Sequence, residues 1–233
     1  MTIDIKVHKN VLVNILKDIY TDPLVAPWLG FKGGTAVLLF YNLSRFSVDL
    51  DFDLLDPSQE DLVFDAVYEI LKKYGTVKTQ KKRYSIFFLL SYNDKVYGAQ
   101  NIKVEINKRV FGSKYEVKHF LGIAMQVMVQ EDIAANKLVA MHKRMGYANR
   151  DIYDSWFFLS NNWPVNTKII EQRTNMPYAA FLQTCIDELE KMSDRGILAG
   201  LGELLNEKQK AWVKTKLKSE IIFLLKLTLN NLS

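Results

Sequence analysis

The stretch Lys32-Gly33-Gly34-Thr35, followed by Arg45-Phe46-Ser47-Val48-Asp49-Leu50-Asp51-Phe52, reads as a tight turn, a short apolar helix and then a strand. Side chains alternate along a strand, so Asp49 and Asp51 share one face. Val48, Leu50 and Phe52 share the other, which is apolar and suited to a core. Aspartate is depleted in strands, and adjacent carboxylates on one face repel. A positive group is therefore expected between them, and magnesium holding nucleotide phosphates is the economical candidate. Upstream, Gly33-Gly34-Thr35 opens the apolar run Ala36 to Leu43, with Lys32 as a nearby charge. Such a turn can present backbone N–H groups and a hydroxyl to an anion at a helix N-terminus. It is not a Walker A loop, because the Gly-Lys-Ser/Thr ending is missing. A glycine pair is common, and this one gains weight from standing one short helix ahead of Asp49. Arg45 and Ser47 lie between and are within reach of phosphate, Ser47 on the face of Asp49 and Asp51; turn and capping chemistry is the plainer role, more so for Arg45.

Two bland alternatives exist for the acidic run. Asp49, Asp51, Asp53 and Glu60 occupy positions 1, 3, 5 and 12 of a calcium loop, but position 6 is Leu54 where that loop needs glycine. A solvated edge strand would be an expensive place for three acids on one face. A third metal carboxylate is expected on a neighbouring strand. Ile102-Lys103-Val104-Glu105-Ile106-Asn107 alternates, with Lys103, Glu105 and Asn107 on one face, and Glu105 is its only acid.

The rest of the chain sets the frame. Its 233 residues carry a net charge of +5 and 48% hydrophobic residues, ordinary globular composition with a mildly basic balance. That balance is compatible with a nucleic-acid partner without demanding one. Cys185 is the only cysteine, which excludes an internal disulfide and fits a reducing cytoplasm. No apolar run approaches the ~20 residues needed to span a bilayer, and the first 20 residues lack a signal-peptide pattern, so a cytoplasmic protein is expected. Residues 4–20 have helical spacing, with Val7, Val11, Ile15 and Ile19 every four residues. Leu62 to Tyr74 reads as a helix stopped by Gly75. Arg83 to Tyr92 and Tyr97 to Asn107 read as a hairpin turning at Asn93-Asp94-Lys95. Beyond about Gly122 the patterns are helical: 133–145, 150–159, 166–173, 178–192 and 206–229.

Within that half, Lys137, Met141 and Arg144 share a helix face, and Lys137 can reach a β- or γ-phosphate. Asp151 and Asp154 share a face of the next helix. Surface salt bridges account for these spacings as well as catalysis does. Lys208, Lys210, Lys214, Lys216 and Lys218 surround Trp212 and read by default as a solvated helix face, with an RNA track as the alternative. His8, His119 and His142 lack zinc-ligand spacing, and Cys185 falls at core spacing with Phe181 and Leu189.

The ordered set Lys32-Gly-Gly-Thr35, Arg45-x-Ser47-x-Asp49-Leu50-Asp51-Phe52, Ile102-Lys-Val-Glu105-Ile, Glu131-Asp132-x-x-Ala-x-Lys137-Leu and Arg150-Asp151-x-x-Asp154 resembles the AbiEii/AbiGii toxin family. These are nucleotidyltransferases of the polymerase-β type. The match runs from about residue 28 to about 160, and its Gly-Gly-Thr plus Asp-Leu-Asp-Phe pairing is the most specific part. The resemblance implies a nucleotidyltransferase-like mixed sheet with flanking helices and a helical C-terminal domain; with the change of pattern near Gly122, the expectation is an α+β fold over residues 1–122 and a mostly helical domain over 123–233 packed on it. It implies Mg2+-dependent transfer from a nucleoside triphosphate to an RNA acceptor, with tRNA favoured, and a cognate antitoxin as partner. By resemblance, Gly34 and Thr35, with Gly33, would bind phosphate, Asp49 and Asp51 the metals, and Lys137 the nucleotide. Asp154, ahead of Asp151, would be the later catalytic acid. Glu105 as third metal ligand departs from the Asp common in other nucleotidyltransferases. The rival functions are a small-molecule nucleotidyltransferase, for instance on an aminoglycoside, and a nucleotide-binding regulatory module without turnover.

Overall fold

The computed structural model describes residues 4–94 and 98–232. They divide into two compact units: the described residues up to Val110 with Lys114–Met128, and Phe111–Ser113 with the described residues from Val129 onward.

The first unit is built on a seven-stranded mixed sheet. Its strands are β1 (Leu29–Lys32), β2 (Leu50–Leu54), β3 (Thr76–Lys81), β4 (Ser85–Asp94), β5 (Gly98–Asn107), β6 (Tyr115–Phe120) and β7 (Ile123–Met128), in the spatial order β3-β4-β5-β2-β1-β7-β6. Neighbours β2 and β5 run parallel, as do β1 and β7; the other pairs are antiparallel. The expected mixed-sheet α+β architecture with a helical C-terminal region is present. The predicted hairpin is β4–β5, paired out to Asp94 and Gly98, while Lys95 of its predicted turn lies outside the described residues. Three strands, β1, β3 and β6, carry no period-2 apolar signal strong enough to read. β1 is only four residues long, and β3 is an exposed polar edge. β6, at the other edge, has one side on solvent.

One face of the sheet is the core. Leu50, Phe52, Leu54, Ile86, Phe88, Leu90, Ile102, Val104 and Ile106 are buried there with Phe31. Two helices supply the covering side chains: α1 (Ile5–Thr21) gives Leu12, Ile15, Leu16 and Ile19, and α3 (Glu60–Lys72) gives Val63, Val67, Ile70 and Leu71. Asp4 caps α1 by accepting from the Lys6 and Val7 amides at 2.9 and 3.1 Å. The buried stripe is rotated from the predicted one. His8 and Leu12 take the inward places, and Val7 is exposed, because a strict four-residue step drifts around a helix of about 3.6 residues per turn. Phe31 and Phe52, ring centroids 5.3 Å apart, anchor the layer, and removing either ring should cost ~3–5 kcal/mol.

The second unit contains α4 (Gln130–Arg144), α5 (Arg150–Ser160), α6 (Thr167–Thr174) and α7 (Tyr178–Lys191). The predicted helix 206–229 is α8 (Glu207–Trp212), a π-helical turn over Val213–Leu217 and α9 (Lys218–Asn230). Val213, Leu217, Ile221 and Leu225 are all buried. A spacing of four overshoots an α-helical turn of about 3.6 residues, and one wider turn brings the stripe back into line. Phe111 joins this unit beneath the Arg173 guanidinium, which lies 4.7 Å from the ring centroid.

Candidate active site

The open face of the sheet carries the acids. Asp51 pairs in register with Glu105 of β5, so the two carboxylates emerge side by side, and Asp49 stands just before β2. Lys103, two residues before Glu105, reaches across them. Its Nζ is 3.1 Å from Glu105 Oε2, 3.7 Å from Asp51 Oδ1 and 3.8 Å from Asp49 Oδ2. The positive group expected between the aspartates is therefore present as an ammonium. Burial pulls the Lys103 pKa down, but Asp51, Asp49 and Glu105 outweigh it and hold the pKa above the ordinary lysine value. The lysine was legible on the Glu105 face; its reach to the aspartates was not, because strand adjacency is tertiary information.

Asp53, the third acid of the run, is engaged elsewhere. Its Oδ1 accepts from Lys32 Nζ at 2.5 Å and Asn107 Nδ2 at 2.7 Å, and its Oδ2 from the Tyr115 hydroxyl at 2.5 Å. Gly30 stands opposite Asp53 in the β1–β2 register, and a Cβ there would enter the Tyr115 ring. The glycine is what lets Tyr115 cross β1 to its carboxylate. Lys32 is thus a partner of Asp53.

The glycine turn closes onto the same acids. Gly33, at φ +80°, opens α2 (Gly33–Phe40), and a Cβ on it would collide with the Asp51 carboxylate. A Cβ on Gly34 would lie 2.8 Å from Ser47 Oγ and 2.9 Å from Arg45 Nη2. Thr35 Oγ1 donates to the Asp49 carbonyl at 2.5 Å and exchanges a hydrogen bond with Ser47 Oγ at 3.0 Å. Gly33, Gly34, Thr35, Arg45, Ser47, Asp49 and Asp51 are thereby brought together. Arg45 is buried, with Nη1 donating to the Phe46 carbonyl at 2.7 Å. The N-cap, Lys32, has no side-chain acceptor for the first amides of α2.

His8 was missed by sequence reasoning. It is fully buried; Nε2–H donates to the Val48 carbonyl (3.0 Å) and Nδ1 accepts from the Tyr92 hydroxyl (2.8 Å), which fixes a neutral tautomer. Burial lowers its pKa below 6.5, against the opposing effects of the Val48 carbonyl and Asp49. It ties α1 to the residue preceding Asp49. A lone histidine in a helix gives no sequence signal for that contact.

In the second unit, Lys137 of α4 lies between two fully buried acids of α5, with Nζ 2.7 Å from Asp154 Oδ2 and 3.2 Å from Asp151 Oδ1. Arg144 Nη2 is 2.6 Å from Asp151 Oδ2. The lysine-rich helix is a more ordinary feature. Lys210 pairs with Glu207 and Lys218 with Asp194, and Trp212 packs on Trp156 with ring centroids 4.4 Å apart. Cys185 is buried, which pushes its thiol pKa up to about 12 and makes it inert at neutral pH.

The acids, chiefly oxygen donors, fit a divalent cation in chemistry: three carboxylates converge on one positive charge, and the Gly33 cradle leaves Asp51 room that a Cβ would fill. Among the described residues, no group of three or more His, Cys, Asp or Glu side chains is placed to hold a metal ion as it stands.

A family model described as the nucleotidyl transferase AbiEii toxin of type IV toxin–antitoxin systems matches residues 14–218. The chain belongs to that family of nucleotidyltransferase toxins. Among solved structures it is similar to a Helicobacter pylori protein assigned as a nucleotidyltransferase (22% identity, TM-score 0.68, covering 100% of this chain and 99% of that one). It is also similar to JHP933 from Helicobacter pylori (22% identity, TM-score 0.60, 100% and 98%). A third is MenT4, nucleotidyltransferase toxin Rv2826c from Mycobacterium tuberculosis H37Rv (18% identity, TM-score 0.60, 95% and 84%). At these identities the likeness is one of fold. No curated protein matches the chain. No helix among the described residues is long and apolar enough to cross a membrane.

Proposed function

We propose that this chain is a magnesium-dependent nucleotidyltransferase toxin that transfers a nucleotide from a nucleoside triphosphate to an RNA acceptor, with tRNA favoured by the family. The observation that supports the reading is the close approach of Gly33 to the carboxylate of Asp51, the turn expected to bind phosphate beside the acid expected to hold metal. Asp49, Asp51 and Glu105 would hold the metal. A bound Mg2+ supplies charge neutralisation on the triphosphate and a lowered pKa for the attacking hydroxyl. The amides of Gly33 and Gly34 and the hydroxyls of Thr35 and Ser47 orient phosphate oxygens, and Arg45 adds positive charge behind them. Lys137, as nucleotide contact, and Asp154, as the later acid, enter through the family resemblance. The acceptor hydroxyl attacks the α-phosphorus, the bond to the bridging oxygen breaks, and pyrophosphate leaves.

An RNA acceptor is supported by the first unit's surface. Arg83 lies 5.0 Å and Arg109 5.8 Å from the centroid of the exposed Tyr84 ring, and Lys82 lies 5.3 Å from that of Phe87, the β4 residue paired with Glu105. Cations interleaved with aromatic rings suit stacked bases and phosphates. An antitoxin partner is supported by the type IV family, and a cytoplasmic setting by the single cysteine.

The test uses α-labelled nucleoside triphosphates, each alone, with Mg2+ and total RNA, comparing the wild type with Asp51→Ala. Label in RNA with the wild type only is expected. One observation favours a second reading, a nucleotide-binding module without turnover: Lys103 among the carboxylates. Nucleotide binding with no label in RNA or in an aminocyclitol would select it.

A further inference from the structure

Lys103 has no part in the proposed transfer, yet its ammonium reaches three carboxylates of the acidic site. Its half-buried ammonium is shared by Glu105, Asp51 and Asp49 at 3.1, 3.7 and 3.8 Å. These are looser than the 2.5 Å Lys32–Asp53 pair on the same sheet face, so one charge spans three acids instead of closing on one. A divalent cation at the same oxygens would face the Lys103 ammonium as a like charge at contact range. Lysine has a flexible four-carbon stem that can withdraw, whereas a closed bidentate arginine would not release so readily.

We propose that Lys103 is the resting counter-ion of the metal site: a positioning residue that holds Asp49, Asp51 and Glu105 together in the metal-free protein and is displaced when a divalent cation binds. The inference rests on the assignment of those carboxylates as metal ligands. Lys103 therefore lowers metal affinity while keeping the empty site folded, which makes occupancy sensitive to free divalent cation.

The experiment is Mn2+ binding to the full chain, read by electron paramagnetic resonance, for the wild type and Lys103→Met, with thermal melts in EDTA and in Mg2+. Lys103→Met should bind Mn2+ about tenfold or more tightly, because a like charge has been removed at contact range. It should melt below the wild type in EDTA and recover in Mg2+. Equal or weaker Mn2+ binding by folded Lys103→Met overturns the inference and leaves the metal assignment standing. No binding by either protein overturns both. The wild type supplies a check that needs no variant: acetylation of Lys103, followed by mass spectrometry, should rise when Mg2+ is added. Unchanged labelling at saturating Mg2+, with other lysines as reference, overturns the displacement.

Discussion

Gly33 and Asp51 constrain each other. The glycine sits at φ +80° with the aspartate carboxylate where its Cβ would be. Gly33→Ala should therefore lose ~1–2 kcal/mol from the left-handed backbone alone, and more from displacing the carboxylate. Urea denaturation and label transfer should fall together. Asp49→Ala and Asp51→Ala should behave in the opposite way. Each removes one of several like charges on a single face, so melting temperature should stay level or rise, while transfer drops by ~10³-fold or more, as expected when a site loses a group acting in the transition state. Full activity in the Asp49→Ala, Asp51→Ala double variant would sink the metal assignment. The glycine turn and the two aspartates were both legible as residues. Their mutual contact was not, since it depends on the register that sets Lys32 of β1 opposite Asp51 of β2.

Elements are joined by buried polar groups, and these carry predictable pH and charge effects. His8 links α1 to the backbone before β2 as a neutral ring, with its native pKa lowered by burial. The unfolded chain thus binds a proton more readily, so its stabilising contribution is complete above about pH 6.5 and declines as pH falls through the native pKa. Denaturation at pH 7.5 and 5.5 should show the loss, and His8→Gln should flatten it. The α4–α5 pair poses a different problem. Lys137→Ala removes the ammonium shared by buried Asp154 and Asp151, of which Asp151 keeps Arg144, and breaking a buried pair costs ~3–5 kcal/mol. Loss of activity in that variant will be mixed with loss of fold. Adding Asp154→Asn should restore much of the stability, as read by urea melts, without restoring transfer. The spacing of Lys137, Asp151 and Asp154 was compatible with solvent salt bridges; only the packing of α4 on α5 makes the acids fully buried.

On the scale of the whole molecule, a net charge of +5 is too small to define a partner, and where the cations sit matters more. The lysine-rich α8–α9 region, conspicuous in sequence, is partly neutralised by Glu207 and Asp194. Arg83 read only as the start of a strand and Arg109 falls just past the next one, so their meeting at exposed Tyr84 was hidden. Tyr84→Ala should raise the RNA KM by about tenfold with kcat nearly unchanged, given ~1–3 kcal/mol per stacked base. Arg83→Glu should raise it further and flatten its salt dependence. A comparison of initial rates at two salt concentrations checks both.

The sequence by itself determined the glycine turn and the carboxylate pair, because each rests on local spacing: a glycine before an apolar helix, or a period of two along a strand. The mixed-sheet α+β class and the family came through the resemblance that the ordered motifs carry. Only the tertiary structure decided which charges meet. Asp53, equivalent to Asp49 and Asp51 by alternation, is consumed by Lys32, Asn107 and Tyr115. Lys103, unremarkable by alternation, stands among the acids that β2 and β5 bring together. Periodicity tells which face a side chain takes, whereas partners across a sheet are set by strand order and register, and no local pattern encodes either.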